Sequence, residues 1–563
     1  MKLRTSFFNF AVLRKNLTRF APLWILYAVA EVLGIMSINV GNPGLVADDL
    51  AQIMGPVAIF HAGYAFLVAA CLFGDLFDSR LCNGLHAMPM RREGWLLTNL
   101  ASGLVFALIP AVIGAGVAAI VLKEYFWIGL LWQGTSLLQF VFFFGVAVFS
   151  AMCTGKRLGM AAIYGILNFL SMLIFWVVDT VFEPLLPGVV LSDDWFVLFC
   201  PVVSMVQDTY ADFYWDSNLG GIFKGFVGKD WSYLYICTGV GVVFTVLGWL
   251  LYRKRHLETA GDFISFRPMR IFFLLAYTIA MGALMFSFTE LFFGLYRDYG
   301  FLLAGIVIGW FTGWMLLERT VKVFSKKVFL SFVAFAVFLA GCVGLTKLDP
   351  LGVTTYIPKT EDIAKVCLYS QNESFDYEQN DDYAGWYITD QAEIAWVQDL
   401  HRQMLMVKGA TDQTTFRVNV RYELQNGFHV YRQYDIPAKS ETAEKLRPFF
   451  SDMRSVFSTG DLSRVKTTLD SVYIWLNGEG ESVEIYNLLT QQELIAAIEA
   501  DCKAGAMAQD NCYHMNQESV GYIDLSWTTV WDDGKAQGTR HEDIVVYGDC
   551  VNTRAFLETL EEN

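Results

Sequence analysis

The chain has 563 residues, of which 55% are hydrophobic, and its mean hydropathy is +0.40. This composition excludes an ordinary water-soluble globular protein and indicates a membrane protein with several domains. The net charge of −15 is unevenly distributed, because residues 346–563 hold 18 basic and 36 acidic residues and the remainder is weakly basic. An acidic C-terminal part argues against nucleic acid as a partner, since nucleic-acid binding needs a basic face.

Residues 1–19 predict an amphipathic helix that lies along the cytoplasmic membrane interface. Phe10, Leu13 and Leu17 recur at three- and four-residue spacing, and Arg14 and Lys15 lie between them. Apolar residues on one face and basic residues near anionic lipid are typical of such helices. The alternative is a basic flank without helical structure.

Nine apolar stretches follow, each long enough to approach the thickness of a bilayer as a helix. We therefore predict about nine transmembrane helices. They cover residues 20–40, 53–73, 95–122, 134–153, 158–182, 231–251, 271–289, 301–317 and 328–345.

The loops between these stretches alternate between many and few basic residues. With the N-terminus in the cytoplasm, the inside loops contain 19 Lys and Arg residues and the outside loops contain four. Basic loops stay on the cytoplasmic side of cell membranes. The sequence thus predicts a multi-pass protein of the cell membrane with a cytoplasmic N-terminus and an extracytoplasmic C-terminal domain. The predicted inside loops are residues 1–19, 74–94, 154–157, 252–270 and 318–327.

Glu31 and His61 are the clearest ionisable residues deep within the predicted spans. A charge at the bilayer centre costs about 2.5–3.5 kcal/mol on insertion scales, so each should face protein or water. Either residue could belong to a substrate path or form a hydrogen bond between helices. A second pattern is Gly305, Gly309 and Gly313, whose spacing of four predicts a smooth ridge for close helix packing.

The loop at residues 74–94 mixes both signs of charge with apolar residues. Leu81, Leu85 and Met88 predict a short helix that Pro89 ends, and the charges suit docking to a protein surface. The alternative is a plain charged hairpin between two helices.

Residues 346–563 predict an α+β domain with its own core. The strongest signal is a hairpin over residues 415–436, because Asn426-Gly427 suits a turn with positive φ. Thr490 and Glu493 match a helix capping box. The sequence leaves open whether the cysteines of this domain form disulfides in an extracytoplasmic setting. They are Cys367, Cys502, Cys512 and Cys550.

The sequence shows no motif of a known enzyme class. Residues 225–230 read GFVGKD, which lacks the spacing of a phosphate-binding loop. His541-Glu542 lacks the second histidine of a zinc-protease motif, and no nucleophile elbow occurs. We therefore predict no catalytic residue, no cofactor and no metal site in this chain.

Three segments of the predicted inside loops carry a recognisable pattern. They read LHAMPMRRE at residues 85–93, MCTGKRL at residues 152–158 and LYRKRHLETAGD at residues 251–262. They resemble the loops of permease subunits from bacterial ATP-binding-cassette (ABC) transporters of the exporter class. The resemblance is greatest to a Gram-positive branch that has extra helices and an extracytoplasmic C-terminal domain. That branch has Ser at the position of Ala87.

The resemblance implies a division of the chain into four parts. Residues 1–19 would form the interfacial helix, 20–251 a six-helix permease core, 252–345 three additional helices and 346–563 the extracytoplasmic domain. It also implies a dimer of permease subunits, identical or different, with cytoplasmic ATP-binding subunits that hold the ATP. The segment that couples to these subunits would comprise Leu85, His86, Met88, Pro89, Arg91, Arg92 and Glu93.

The expected function is export, or extraction from membrane lipid, of an amphipathic substrate such as a lipid, peptide or antibiotic. The first alternative is a sensor or resistance module that transports nothing and whose outer domain binds an extracellular ligand. The second is a membrane enzyme acting on lipid-linked substrates, for which only Glu31 and His61 lie deep enough.

Overall fold

A computed structural model describes most of the chain. Within the described residues the chain divides into two compact units, Met1–Thr180 with Asp193–Gly341 (the helical unit) and Val181–Ser192 with Cys342–Asn563 (the C-terminal unit). The described residues are 8–38, 43–86, 91–123, 126–190, 194–208, 213–216, 222–226, 232–255, 259–293, 299–371, 386–407, 415–467, 469–476, 482–509, 519–530 and 537–561.

The helical unit consists of long helices and one small hairpin. The helices in chain order are α1 (Phe10–Arg19), α2 (Ala21–Met36), α3 (Pro43–Leu72), α4 (Ser79–His86), α5 (Arg92–Val121), α6 (Phe126–Cys153), α7 (Arg157–Val177), α8 (Asp194–Leu198), α9 (Pro201–Asp208), α10 (Ser232–Lys254), α11 (Arg267–Phe293), α12 (Tyr299–Glu318) and α13 (Lys326–Leu348). The hairpin pairs β1 (Phe213–Asp216) with β2 (Ile222–Phe226).

Seven of the described helices are long and apolar enough to cross a membrane, or eight if α1 and α2 count as one span bent by 64°. The seven are α5, α6, α7, α10, α11, α12 and α13. These helices are compatible with a multi-pass membrane protein. The other two of the nine predicted spans fall on α2, which has 16 residues, and on α3, whose described apolar part is Pro56–Leu72.

Helix α6 lies at the centre of the helical unit and packs against α3, α5 and α10. Glycines permit these close approaches. A β-carbon on Gly145 would lie 2.0 Å from the carbonyl oxygen of Gly241 on α10, and one on Gly103 of α5 would lie 2.2 Å from the ring of Phe144. The core around α6 is rich in buried aromatic side chains, including Phe140 and Phe143.

The C-terminal unit contains two four-stranded antiparallel sheets. Its elements in chain order are β3 (Ile363–Gln371), β4 (Tyr387–Ile388), α14 (Gln391–Met404), β5 (Thr415–Leu424), β6 (His429–Pro437), α15 (Glu441–Phe450), α16 (Met453–Val456), α17 (Ser463–Thr467), β7 (Ser471–Leu476), β8 (Ser482–Glu484), α18 (Leu488–Ala504), β9 (Ser519–Val530), β10 (Gln537–Tyr547) and α19 (Val551–Glu561). The strand orders are β4-β3-β5-β6 and β8-β7-β9-β10.

These two sheets have the same topology. Each half of the unit runs strand, strand, helix, strand, strand, helix, and each encloses its own apolar core. The C-terminal unit is therefore a structural duplication, although no repeat is visible in its sequence.

The predicted hairpin is confirmed, since β5 and β6 pair from Thr415 to Pro437 and Gly427 has φ +80°. The predicted capping box is wrong. Helix α18 begins earlier, at Leu488, because the side chain of Asn487 accepts a hydrogen bond from the Leu489 amide and caps it. Thr490 therefore lies inside the helix.

Candidate functional site

The loop after α3 is structured rather than extended. A 3-10 turn at Gly74–Phe77 leads into α4, which Asp78 caps by accepting hydrogen bonds from the amides of Arg80 and Leu81. Leu85 and His86 are the last two residues of α4, and their side chains lie outside the described part of the structure. Met88 and Pro89 lie outside the described residues altogether.

The remaining three residues of the predicted coupling segment lie at the start of α5. Arg91 immediately precedes the helix and is exposed, and Arg92 and Glu93 are its first two residues. The guanidinium of Arg92 donates to the carbonyl of Arg255 over 3.5 Å, and Glu93 lies 3.9 Å from Arg253. This segment therefore contacts the end of α10, which is distant in sequence.

Arg255 joins three loops through one guanidinium group. Its nitrogens donate to the carbonyls of Ala151 at 3.0 Å, Met152 at 3.3 Å and Leu76 at 3.1 Å. The first two carbonyls belong to the last turn of α6, where helix carbonyls lack intrahelical partners and carry partial negative charge. Arg255 is 6% exposed, and burial lowers its pKa from the ordinary value. Arg255 therefore fixes the geometry of all three segments through a buried charge that donates to their carbonyls.

A second set of hydrogen bonds joins the loop after α6 to the loop before α11. The amide of Gly155 donates to the carbonyl of Asp262 at 2.9 Å, and the amide of Gly261 donates back to the carbonyl of Gly155 at 2.8 Å. The backbones approach so closely that a β-carbon on Gly155 would lie 2.1 Å from the oxygen of Thr259. Asp262 also forms an ion pair with Arg319 after α12.

These contacts combine four of the predicted inside loops into one surface. We call it the loop platform and define it as residues 74–86, 91–93, 151–157, 253–255, 259–265 and 317–319. Its basic side chains are largely exposed, as is the apolar side chain of Leu81. The exposed basic residues are Arg80, Arg91, Lys156, Arg157, Arg253, Lys254 and Arg319.

Helix α1 docks beside this platform through polar contacts. The side-chain amide of Asn16, 8% exposed, donates to Asn99 at 2.8 Å and to Ser102 at 3.0 Å on α5. The backbone amide of Asn9 donates to the hydroxyl of Thr98, which also lies on α5. The aromatic ring of Phe10 is exposed. The predicted interfacial helix is thus held by its polar side to the first turns of α5.

Glu31 and His61, the two deeply placed ionisable residues of the predicted spans, lie together in the interior. His61 is fully buried, and its Nε2 lies 3.6 Å from a carboxylate oxygen of Glu31 and 3.0 Å from the hydroxyl of Tyr27. Two glutamines of α6 complete the cluster. The side-chain amide of Gln133 donates to the Glu31 carboxylate, and the side-chain oxygen of Gln139 contacts His61 Nδ1. We call these five residues the buried polar cluster.

Gly305, Gly309 and Gly313 lie on the face of α12 that packs against α11. A β-carbon on Gly305 would lie 2.6 Å from the carbonyl of Met281, and one on Gly309 would lie 3.0 Å from the Cα of Thr278. These residues therefore serve helix packing in the present fold.

The C-terminal unit has a polar centre in its first half. His401 of α14 lies between the hydroxyls of Tyr422 and Tyr434, at 2.9 Å and 2.8 Å. Burial and the nearby Arg432 lower the pKa of His401 to about 3, so this imidazole is neutral. The residue at the same distance from the helix cap in the second half is Ile498.

The described cysteines of the C-terminal unit are buried. They are Cys367, Cys502 and Cys550, and burial raises the pKa of Cys502 to about 12 and that of Cys550 to about 11. Cys512 lies outside the described residues. Within the described part of the chain, no three His, Cys, Asp or Glu side chains are grouped to hold a metal ion.

Several residues of these clusters were not singled out from the sequence. Arg255 counted only toward the charge of its loop, and Tyr27 was an ordinary residue of an apolar span. Gln133 and Gln139 flank the polar run Gly134-Thr135-Ser136 at the start of α6. Such a run inside a hydrophobic stretch is the sequence signal that could have revealed a polar partner for Glu31. The pairing itself depends on tertiary structure.

Comparison with known proteins adds no family assignment. No protein-family model matches the chain, and no curated protein shows a significant match to it.

Proposed function

We propose that this chain is the transmembrane permease subunit of an ABC transporter. It lies in the cell membrane with its loop platform in the cytoplasm, and it exports, or extracts from membrane lipid, an amphipathic substrate such as a lipid, peptide or antibiotic. Cytoplasmic ATP-binding subunits supply the energy, and a second permease subunit, identical or different, completes the pathway. The C-terminal unit is extracytoplasmic in this proposal.

The observation that carries the proposal is the joining of loops by Arg255. A permease without its own ATPase needs a surface that receives force and passes it to several helices at once. The loop platform meets this need because α5 begins in it, and α6 and α10 end in it. A push on the platform would move the three helices together, as in rigid-body switching.

The surface chemistry also suits a protein partner. The platform exposes arginines and lysines together with the apolar Leu81, and Asp78 and Glu318 add the opposite charge. Arginine and apolar side chains are common at the centres of protein interfaces, and charge complementarity directs docking.

Copurification of an ATP-hydrolysing subunit tests the proposal. The tagged chain, extracted from cells of its source in mild detergent, is expected to retain ATPase activity and a bound nucleotide-binding protein. Changing Arg91, Arg92 and Glu93 together to Ala should remove both. The matched control is Lys123→Ala with Lys347→Ala, on the predicted opposite side, which should retain both. Equal ATPase activity in the triple variant and the control would reject the platform as the docking site.

One observation favours the alternative of a sensor that transports nothing. Segment Val181–Ser192, which follows α7, belongs to the C-terminal unit. The amide of Gln433 in β6 donates to the carbonyl of Gly188 at 3.1 Å, and Val189 pairs with Arg432. A ligand bound to the C-terminal unit could thus act on α7 through the chain. ATPase stimulation without substrate movement in proteoliposomes would favour this alternative.

A further inference from the structure

The second sheet of the C-terminal unit, β8-β7-β9-β10, has one covered and one open face. On the covered face, side chains of α18 and α19 join Ile474 and Ile523 in the apolar core. Because side chains alternate along a strand, the residues next to these core positions belong to the other face. That open face carries six partly or fully exposed side chains, Tyr473, Trp475, Glu484, Tyr522, Asp524 and Asp543.

The strand register arranges these side chains in two rows. The first row, in strand order, is Glu484, Tyr473, Asp524 and Asp543. The second row holds Trp475 opposite Tyr522, with ring centroids 5.3 Å apart. Neighbouring strands are about 4.8 Å apart, so the backbone positions of Glu484 and Asp524 are separated by roughly 10 Å with Tyr473 between them. Aromatic rings and carboxylates are thus interleaved across the whole sheet.

The carboxylates of this face form no ion pair with a Lys or Arg among the described residues. Glu484 accepts a hydrogen bond from the hydroxyl of Tyr486. Oxygen Oδ1 of Asp524 is buried and has no hydrogen-bond partner, and its ion-pair contact is the exposed imidazole of His541, whose Nδ1 lies 3.9 Å away. Burial and the neighbouring Asp543 raise the pKa of Asp524. A cation above this pair of carboxylates would therefore be stabilised by both.

The chemistry of the face selects a basic partner. An ammonium or guanidinium group over an aromatic ring gains about 0.5–1 kcal/mol at an exposed site, and adjacent carboxylates add charge attraction. A second copy of the C-terminal unit is a poor occupant, because residues 346–563 hold 18 basic and 36 acidic residues and two such units repel each other.

The shape of the face favours a polypeptide over a small amine. Small molecules bind in concave pockets, whereas an open sheet face is a broad surface on which Tyr and Trp serve as interface anchors. Carboxylates spread over four strands can pair with several basic side chains of one extended segment, but a single amine would reach only part of them.

We propose that the open face of the second sheet binds a basic segment of another polypeptide. One Lys or Arg side chain of this partner lies over Trp475 and Tyr522 and pairs with Asp524 and Asp543. A second basic side chain reaches Glu484 on the far side of Tyr473. The loop platform takes no part in this contact, so the proposal stands or falls separately from docking of an ATP-binding subunit.

Fluorescence anisotropy with a labelled peptide of alternating Lys and Ser tests the proposal on the purified full chain in a nonionic detergent. The peptide should bind the wild type, and the same peptide with Glu in place of Lys should not. D524N/D543N should weaken binding at least about tenfold, because two carboxylates lose their charge. The matched control E441Q/E558Q removes two exposed carboxylates from α15 and α19 and should weaken binding by less than about twofold.

Substitutions of Trp475 test the aromatic part of the surface. W475F keeps a ring and should retain most of the affinity, whereas W475L should lose it together with the cation–π contact. Asp543 is exposed, so D543N alone preserves the fold and should still weaken binding if the double variant does not fold.

Three results would overturn the proposal. The first is unchanged binding of the Lys peptide to D543N and W475L. The second is an equal loss in E441Q/E558Q and D524N/D543N, which would mean attraction to the acidic unit as a whole. The third is displacement of the peptide by an equal concentration of tetramethylammonium, which would identify a site for a small cation.

Discussion

The guanidinium of Arg255 donates a hydrogen bond to the carbonyl of Leu76 over 3.1 Å, although 179 positions separate the two residues. This bond connects the loop after α3 to the end of α10. The same side chain caps α6 through Ala151 and Met152. Arg255 therefore holds three segments of the loop platform together.

Replacing Arg255 with Met should destabilise the helical unit by about 1–3 kcal/mol, because three buried carbonyls lose their donor. Lys at this position keeps the charge but lacks the planar guanidinium that donates to several carbonyls. The stability of R255K should therefore fall between that of R255M and that of the wild type. Thermal unfolding in detergent measures the effect. The neighbouring Arg253 has an exposed side chain, so R253A should change stability by less than about 0.5 kcal/mol. Equal stability of R255M and R253A would contradict the role of Arg255.

Asn16 should anchor α1 to α5. The variant N16A removes donors to Asn99 and Ser102, and we expect a loss of about 1–2 kcal/mol with faster hydrogen exchange in α1. The exposed neighbour Lys15 provides the control K15A, which should leave exchange unchanged. Unchanged exchange in N16A would mean that α1 is held by other contacts.

Gly188 should be intolerant of any side chain. Its φ is +78°, and a β-carbon would lie 2.3 Å from the ring of Tyr434. G188A should therefore lower the melting temperature of the C-terminal unit more than G427A. Gly427 has a similar φ of +80° with open space around it, so its substitution costs only the backbone strain of about 1 kcal/mol. Equal shifts for the two variants would show that segment Val181–Ser192 does not depend on this contact.

The neutral state of His401 should make the C-terminal unit sensitive to acid. Its pKa is about 3 when folded and near the ordinary 6.5 when unfolded, so the unfolded chain binds more protons between these values. Stability is then fully present above about pH 6.5 and falls with decreasing pH by up to about 1.4 kcal/mol per unit. Proteolysis rates of the C-terminal unit in the full chain, measured against pH, should lose this component in H401Q. Identical pH profiles for H401Q and the wild type would contradict it.

Local patterns of the chain predicted its secondary structure well. The hairpin around the Asn426-Gly427 turn has the bounds expected from alternation and turn chemistry to within one residue. The capping box failed because Asn487, three residues earlier, is also a good cap and competes for the helix start. Such competition between neighbouring caps is decided by tertiary packing.

Long-range relationships were beyond the sequence. The duplication in the C-terminal unit is hidden because the two cores use different residues, with His401 in one half and Ile498 in the other. Glu31 and His61 were each recognised as buried polar residues, but their pairing requires α2 and α3 to meet on α6. Arg255 was one basic residue among several in its loop, and only the fold distinguishes it.

The central claim is that the loop platform faces the cytoplasm, where an ATP-binding subunit can reach it, and that the C-terminal unit faces outward. Labelling of single introduced cysteines with a membrane-impermeant maleimide tests this directly, with the wild-type chain as the blank. In intact cells, K503C in the C-terminal unit should react at once, whereas R80C in the platform should react only after permeabilisation. Labelling of R80C in intact cells, or protection of K503C, would contradict the account.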